Sequence, residues 1–281
     1  MKIILAKDAG YCFGVRDAVN MAYDAAKKYE DVFMLGDIVH NENVVNDLSK
    51  AGAKVVDNLK QIPKNKPVLF RAHGTKTDTW KEAEDLNLKV LDATCPLVHE
   101  IHDEVKSLYS EGRQIIIIGD HEHDEVIAIA DQVKDSIVIS NKKEAQKIKK
   151  FKKAGVVSQS TQMIENVQEI INILMEKVFD LRFVNTICFP TKRNHEQIKE
   201  LALECDTMII VGSFTSANSK RLTELARERN KFSYQVQTAS DLKSSWFDSC
   251  SVVGVSAGAS TPDYLIDDVV KAIKEININN V

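Results

Sequence analysis

Short apolar runs alternate with longer amphipathic stretches along the whole chain. The runs are rich in Val, Ile and Leu and rarely alternate with polar residues, as in strands covered on both faces of a sheet. They predict strands at 2–6, 32–35, 54–56, 67–72, 89–93, 114–119, 136–140, 155–158, 181–184, 207–211, 233–236 and 251–255. Between them, apolar residues recur at helical spacing. They predict helices at 14–28, 41–51, 77–86, 96–111, 124–132, 142–150, 164–177, 191–204, 218–230, 239–242 and 262–277. Strand and helix in steady succession predict an α/β fold with mainly parallel sheets covered by helices.

One sequence pattern occurs three times. In LDATCPLVH an apolar run ends, Cys95 follows, and Pro96 stands where a helix accepts proline as its first residue. Cys12 in AGYCFGV and Cys188 in NTICFPT also stand between an apolar run and a predicted helix. Helix starts offer exposed N–H groups and the positive end of the dipole, and both favour a thiolate. The three cysteines divide the chain into comparable lengths. We therefore expect three α/β domains, at 1–94, 95–187 and 188–281, each supplying one thiol to a shared centre. Cys205 and Cys250 differ, because each precedes its strand, and they are expected to be small buried hydrophobes.

The loops that follow the predicted strands carry the remaining candidate chemistry. Ligands of α/β proteins bind at such loops. His40, His73 and His123 fall there, as do Ser160, Thr161, Ser216, Asn218 and Ser260. Imidazole, hydroxyl and amide donors near helix starts suit the oxygens of a phosphate group. Glu125, beside His123, is the natural proton donor if it is buried.

Charge and composition narrow the possibilities. With 281 residues, 44% hydrophobic, the chain is long enough for several cores. A net charge of −4 gives no global basic field for nucleic acid or an anionic membrane. The first residues lack the long apolar segment of a signal peptide, and no run approaches a membrane span, so a cytoplasmic protein is expected. The odd cysteine count there argues for metal or catalysis rather than disulfides. The run from Lys142 to Lys153 is expected to be a solvated helix face, with docking of an acidic electron carrier as the alternative.

No two glycines are separated by one residue and no G-x-x-x-x-G-K-[ST] occurs, so the usual nucleotide loops are absent. Nor is there a C-x-x-C for a structural zinc site. An iron–sulfur cubane usually takes four thiolates, and three would leave one iron open to substrate.

Taken in order, AGYCFGV, DIVHN, RAHGT, DATCPLV, GDHEHDEV, VSQST, NTIC, VGSFTSANS and GVSAGASTPD resemble the 4-hydroxy-3-methylbut-2-enyl diphosphate reductase family from end to end. The resemblance implies three α/β domains in a pseudo-threefold cloverleaf around one 4Fe–4S cluster. It implies that Cys12, Cys95 and Cys188 are the ligands and that one iron is open. It implies that His40, His73, His123, Ser216, Asn218 and Ser260 hold the diphosphate. Glu125 would relay protons, and Ser160 and Thr161 would order the substrate hydroxyl or a water. The implied reaction is a two-electron reductive dehydroxylation giving isopentenyl and dimethylallyl diphosphate, with ferredoxin or flavodoxin as donor.

Several positions depart from the family pattern. Asp124 replaces a proline, Ser160 a threonine and Ala217 a serine, and the segment Pro190 to His195 is altered so that no role passes to its arginine. Two other readings compete. One is a zinc-dependent phosphate-ester hydrolase using His121, His123 and Glu125; the other is a non-catalytic iron–sulfur redox sensor.

Overall fold

The computed structural model describes residues 1–279, so the last two positions of the expected 188–281 domain lie outside it. Its twelve strands form three parallel sheets of four strands each. One sheet contains β2 (Val32–Leu35), β3 (Ala53–Val56), β4 (Pro67–Phe70) and β5 (Lys89–Asp92). A second contains β6 (Gln114–Ile118), β7 (Ile137–Ile139), β8 (Phe151–Ser158) and β9 (Val178–Phe183). The third contains β10 (Thr207–Val211), β11 (Ser233–Val236), β12 (Val252–Ala257) and, from the other end of the chain, β1 (Lys2–Leu5).

All three sheets have the same order. Across the sheet the strands run second, first, third, fourth: β3-β2-β4-β5, β7-β6-β8-β9 and β11-β10-β12-β1. The first and third strands are therefore central, and β2, β4 and β10 are buried along their whole length. This accounts for their unbroken apolar runs. The edge strands β1, β5 and β9 alternate or are half-exposed.

The position of β1 corrects the expected boundaries. Its residues pair with β12 from Lys2↔Val252 to Leu5↔Val255, so β1 completes the sheet of the C-terminal third rather than a domain at 1–94. Burial patterns show that a strand is covered but not which sheet it joins, so the sequence held no signal for this pairing. The chain divides into two compact units. One is Met1–Arg16, Val39–Asp47 and Phe189–Val281, with the third sheet; the other is Asp17–Ile38 and Leu48–Cys188, with the first two.

The helices cover the sheets through helical-period faces. On one face of the second sheet, Val167, Ile170 and Leu174 of α7 (Ile164–Met175) pack against Ile116, Ile118 and Val156. On the other, Ile101, Val105 and Leu108 of α4 (Pro96–Ser110) pack against Ile115, Ile117 and Val157. Each fully buried side chain of this kind contributes roughly 1.5–3 kcal/mol. In the first unit, Leu265, Ile266, Val269 and Ile273 of α10 (Asp263–Asn279) cover β10 and β12.

Two local expectations change. The Lys142 to Lys153 run is not one helix face. α6 (Lys142–Lys147) stops where Ile148 turns extended, and Lys152 and Lys153 are exposed on β8. Half-buried Phe151 has the better partner in the sheet, where its N–H donates to the Lys177 carbonyl. Residues 239–242 make only a 3-10 turn, Ala239–Asp241. No helix among the described residues is long and apolar enough to cross a membrane.

Candidate active site

The shared sheet order places the candidate residues by rule. The loops after the first strands, with the helix starts they lead into, carry His40, the pair His123 and Glu125, and the pair Ser216 and Asn218. Loops after the third strands carry His73, the pair Ser160 and Thr161, and Ser260. In this order the switch point lies between first and third strands, where α/β sheets open a crevice for ligands. Cys95, Cys188 and Cys12 each follow a fourth strand, at the edge of its sheet.

The cysteines are also held alike. The Cys95 N–H donates to Ala72 O at 3.0 Å, that of Cys188 to Ser160 O at 2.9 Å, and that of Cys12 to Ala259 O at 3.3 Å. In every case the acceptor lies in the loop after the third strand of the same sheet. Cys95 is the N-cap of α4, with Pro96 as the first helical residue. All three thiols are half-buried. Cys205 is buried, as expected, whereas Cys250 is half-buried and donates its thiol to the Val252 carbonyl at 3.4 Å. Burial pushes the Cys205 thiol up to about 11 and raises that of Cys250.

In the second unit the loops of the first and second sheets meet. The His73 and His123 rings lie edge to face, 5.5 Å apart. His123 caps α5 (Asp124–Ala130), its Nδ1 accepting from the Glu125 N–H at 3.2 Å. The ring proton of neutral His123 is then on Nε2, which can donate to an anion. Arg71 forms an ion pair with Asp124, and its guanidinium packs over Gly36. A Cβ at Gly36, whose φ is +67°, would fall 2.7 Å from Arg71 Nη2. The departure at Asp124 thus gives α5 an anchor on the RAHGT loop.

Glu125 is 2% exposed. Its Oε1 accepts from the Ser160 N–H at 2.6 Å and its Oε2 from the Ser160 hydroxyl at 2.8 Å. Since the Ser160 carbonyl accepts from Cys188, one residue links the proton-donor candidate to a cysteine loop. Gln159 holds this loop in place. It is fully buried, accepts from the Asp120 N–H at 3.1 Å, and donates to Thr161 Oγ1 at 3.2 Å.

In the first unit, Ser216 is the N-cap of α9 (Ala217–Arg227), its Oγ accepting from the Ser219 N–H at 3.3 Å. The hydroxyl proton of Ser216 is left to donate elsewhere. The Asn218 amide nitrogen is buried at the same helix start, with no hydrogen-bond partner among the described residues. A buried donor costs free energy unless something accepts from it, and an anion at a helix start is such an acceptor. Ser260 donates to the His40 carbonyl at 3.1 Å, and Asn41 donates to the Ser260 carbonyl at 2.9 Å while capping α2 (Glu42–Lys50). Nearby Glu42 is pushed up by burial, but hydrogen bonds from Ser213, its own backbone and Thr215 outweigh this and lower its pKa.

Gln159 and Asn41 were missed by the sequence reading, although both lie inside quoted motifs. Side-chain amides that brace a loop leave no spacing signal. Arg193, in the altered segment, points outward and donates to Asp8 at 2.7 Å. The zinc-hydrolase ligand set is not assembled. His121 Nε2 pairs with Glu144 at 2.8 Å, and His121, His123 and Glu125 form no metal-holding group among the described residues. Glu144 is lowered to about 2, first by the Ser140 N–H and further by His121 and the Ser140 hydroxyl, against an opposing effect of burial.

The model of the LytB protein family matches residues 3–274. A protein of Geobacter metallireducens named 4-hydroxy-3-methylbut-2-enyl diphosphate reductase is 38% identical over 278 residues, covering 99% of this chain and 98% of its own. Its counterpart of that name in Geobacter sulfurreducens is 40% identical over 278 residues, with the same coverage. A solved (E)-4-hydroxy-3-methyl-but-2-enyl diphosphate reductase, described as the terminal enzyme of the non-mevalonate pathway, superposes with a TM-score of 0.74 at 35% identity, covering 98% of this chain and all of its own. The E-1-hydroxy-2-methyl-but-2-enyl-4-diphosphate reductase of Plasmodium falciparum superposes with a TM-score of 0.91 at 27% identity, covering 96% of this chain and 87% of its own.

Proposed function

The chain belongs to the LytB protein family, and from that premise we propose that it reduces (E)-4-hydroxy-3-methylbut-2-enyl diphosphate to isopentenyl and dimethylallyl diphosphate. The observation that carries this reading is the end-to-end match to relatives that bear the reductase name. The reaction takes up two electrons and two protons, breaks one C–O bond and releases water.

Cys12, Cys95 and Cys188 would hold one 4Fe–4S cluster with one iron lacking a protein thiolate. The fit rests on three half-buried thiols held by the same backbone hydrogen bond in three sheets of one order. When bound, the cluster supplies electrons and a Lewis-acidic iron, which no side chain can do. The diphosphate is held by His40, His73, His123, Ser216, Asn218 and Ser260. The His123 Nε2–H, the His40 and His73 rings, the hydroxyls and the Asn218 amide donate to its oxygens. This anchor fixes the reacting carbon, so that binding energy is spent on orientation. Glu125 delivers a proton, and Ser160 sets the direction of its carboxylate. Thr161, held by Gln159, orders the substrate hydroxyl or a water. Electrons come from ferredoxin or flavodoxin, in the cytoplasm.

The test is anaerobic. Iron and sulfide per chain are measured together with turnover of the allylic diphosphate by reduced methyl viologen. Iron and sulfide near four each, with both alkene products, are expected. Zinc without sulfide after cluster reconstitution, or a loaded chain that turns over nothing, would overturn the reading.

A further inference from the structure

We propose that the exposed Phe13–Phe189 stack, with the cations beside it, is the docking face for a small acidic protein that carries one electron. The inference rests on the reductase reading above. A reductase takes its electrons from outside, and this chain has neither the dinucleotide fingerprint nor the phosphate loop that would hold a nucleotide reductant. The reductant then arrives on another molecule, which needs a place to bind near the cysteines.

Phe13 and Phe189 mark such a place. Each directly follows a candidate ligand, Cys12 or Cys188. Their rings stack with centroids 5.6 Å apart and planes 9° from parallel. They nevertheless remain 37% and 53% exposed. Contiguous aromatic surface left in water marks an interaction site.

The charges around the stack indicate the occupant. A cavity of about 310 Å3 opens beside the two rings and reaches Cys12. Its charged lining is Lys7, Arg16 and Arg193 against the single carboxylate Asp8, whereas the whole chain carries −4. Asp8 is taken up by Arg193 at 2.7 Å. Arg16 meets Asp263 only at 3.8 Å, with both side chains at least half exposed, so solvent screens that pair. An apolar centre with a cationic edge fits a partner that has an apolar centre and an acidic rim.

The lysines from Lys142 to Lys153 are the rival surface. Lys152 and Lys153 lie at the start of β8, while Ser160 follows its end, roughly 20 Å away at about 3.3 Å per residue. The Phe13–Phe189 face instead adjoins two cysteine positions. Each docking oxidises the carrier by one electron. Two dockings, with two protons, convert one allylic alcohol to one alkene and one water.

The test uses the cluster-loaded chain and a small acidic 2Fe–2S ferredoxin as probe. Binding is measured at low and high salt for the wild type, Phe189→Ala, Arg16→Glu and the control Lys152→Glu. Iron content and viologen-driven turnover are followed in parallel. Arg16→Glu and Phe189→Ala are expected to weaken probe binding about tenfold at low salt, while iron and viologen-driven turnover stay at wild-type levels. Lys152→Glu is expected to bind as wild type. Unchanged binding in iron-replete Arg16→Glu would overturn the docking face, as would a loss confined to Lys152→Glu. So would a dimer of the chain that dissociates in Phe189→Ala while probe binding stays the same. Failure of viologen-driven turnover in the loaded wild type would count against the reductase reading, and the binding data would still decide the docking face.

Discussion

Ser160 holds both oxygens of the Glu125 carboxylate, one through its backbone N–H and one through its hydroxyl. An amide cannot accept on both atoms, so Glu125→Gln turns an NH2 toward one of these donors and also removes the acid. We expect turnover to fall about 10²–10⁴-fold with iron content unchanged. Ser160→Ala keeps the backbone bond, so the fall should be smaller, roughly tenfold. Ser160→Thr restores the hydroxyl and should restore turnover. Wild-type turnover in Glu125→Gln would remove that residue from the mechanism.

The Arg71–Asp124 pair ties α5 to the loop that carries His73, with side chains 22% and 33% exposed. A double-mutant cycle of Arg71→Ala and Asp124→Ala, read by urea unfolding, should give a coupling of about 1–2 kcal/mol. Asp124→Pro should keep α5, because the first helical position tolerates proline, while losing the coupling to Arg71. A coupling near zero would mean that the pair does not hold the loop.

Ser216 combines a cap with a proposed phosphate donor, and two substitutions separate these roles. Ser216→Ala should destabilise the protein by about 1 kcal/mol and raise the KM for the diphosphate. Ser216→Asp keeps a good cap but puts a carboxylate beside the anion. Its melting temperature should stay near wild type while KM rises more than in the alanine variant. Equal KM values for Ser216→Asp and wild type would place the diphosphate elsewhere.

His102 gives a pH dependence whose sign can be worked out. Burial, with smaller effects from His99 and Lys106, holds its imidazole down to about 4 instead of 6.5. Between those pH values the unfolded chain binds a proton at this position and the folded chain does not. Stability therefore falls as pH drops from about 6.5 toward 4, by roughly 3 kcal/mol in all. The cause is visible in the packing: a Cβ at Gly74, φ +88°, would sit 3.2 Å from His102 Nε2, which has no hydrogen-bond partner among the described residues. Urea unfolding at a series of pH values should show His102→Phe losing less stability than wild type over this window. Parallel losses would refute the assignment.

Much of this was legible in the sequence. Uniformly apolar runs at 32–35 and 207–211 became fully buried central strands, because burial on both faces leaves no polar alternation. Cys95 before Pro96 became an N-cap because proline suits the next position. What stayed hidden was non-local. Gln159 and Asn41 act through hydrogen bonds to other loops, which leave no local periodicity. The lysine run looked like one helix face because charge alone does not distinguish an exposed helix from an exposed strand, and Phe151 decided it. The membership of β1 depends on pairing between opposite ends of the chain.

That pairing has a consequence during synthesis on the ribosome. β1 emerges before the other strands, yet among the described residues the strand it pairs with is β12, the last of the twelve in chain order. A nascent chain can complete the sheets of β2–β5 and β6–β9 in passing, while β1 and the loop of Cys12 wait. Such long-range closure is slow and leaves an unpaired strand exposed meanwhile. It also makes the Cys12 position report on completeness. Its backbone bond to Ala259 forms only once the C-terminal sheet exists, so a prematurely released fragment cannot present the third thiol in its final setting.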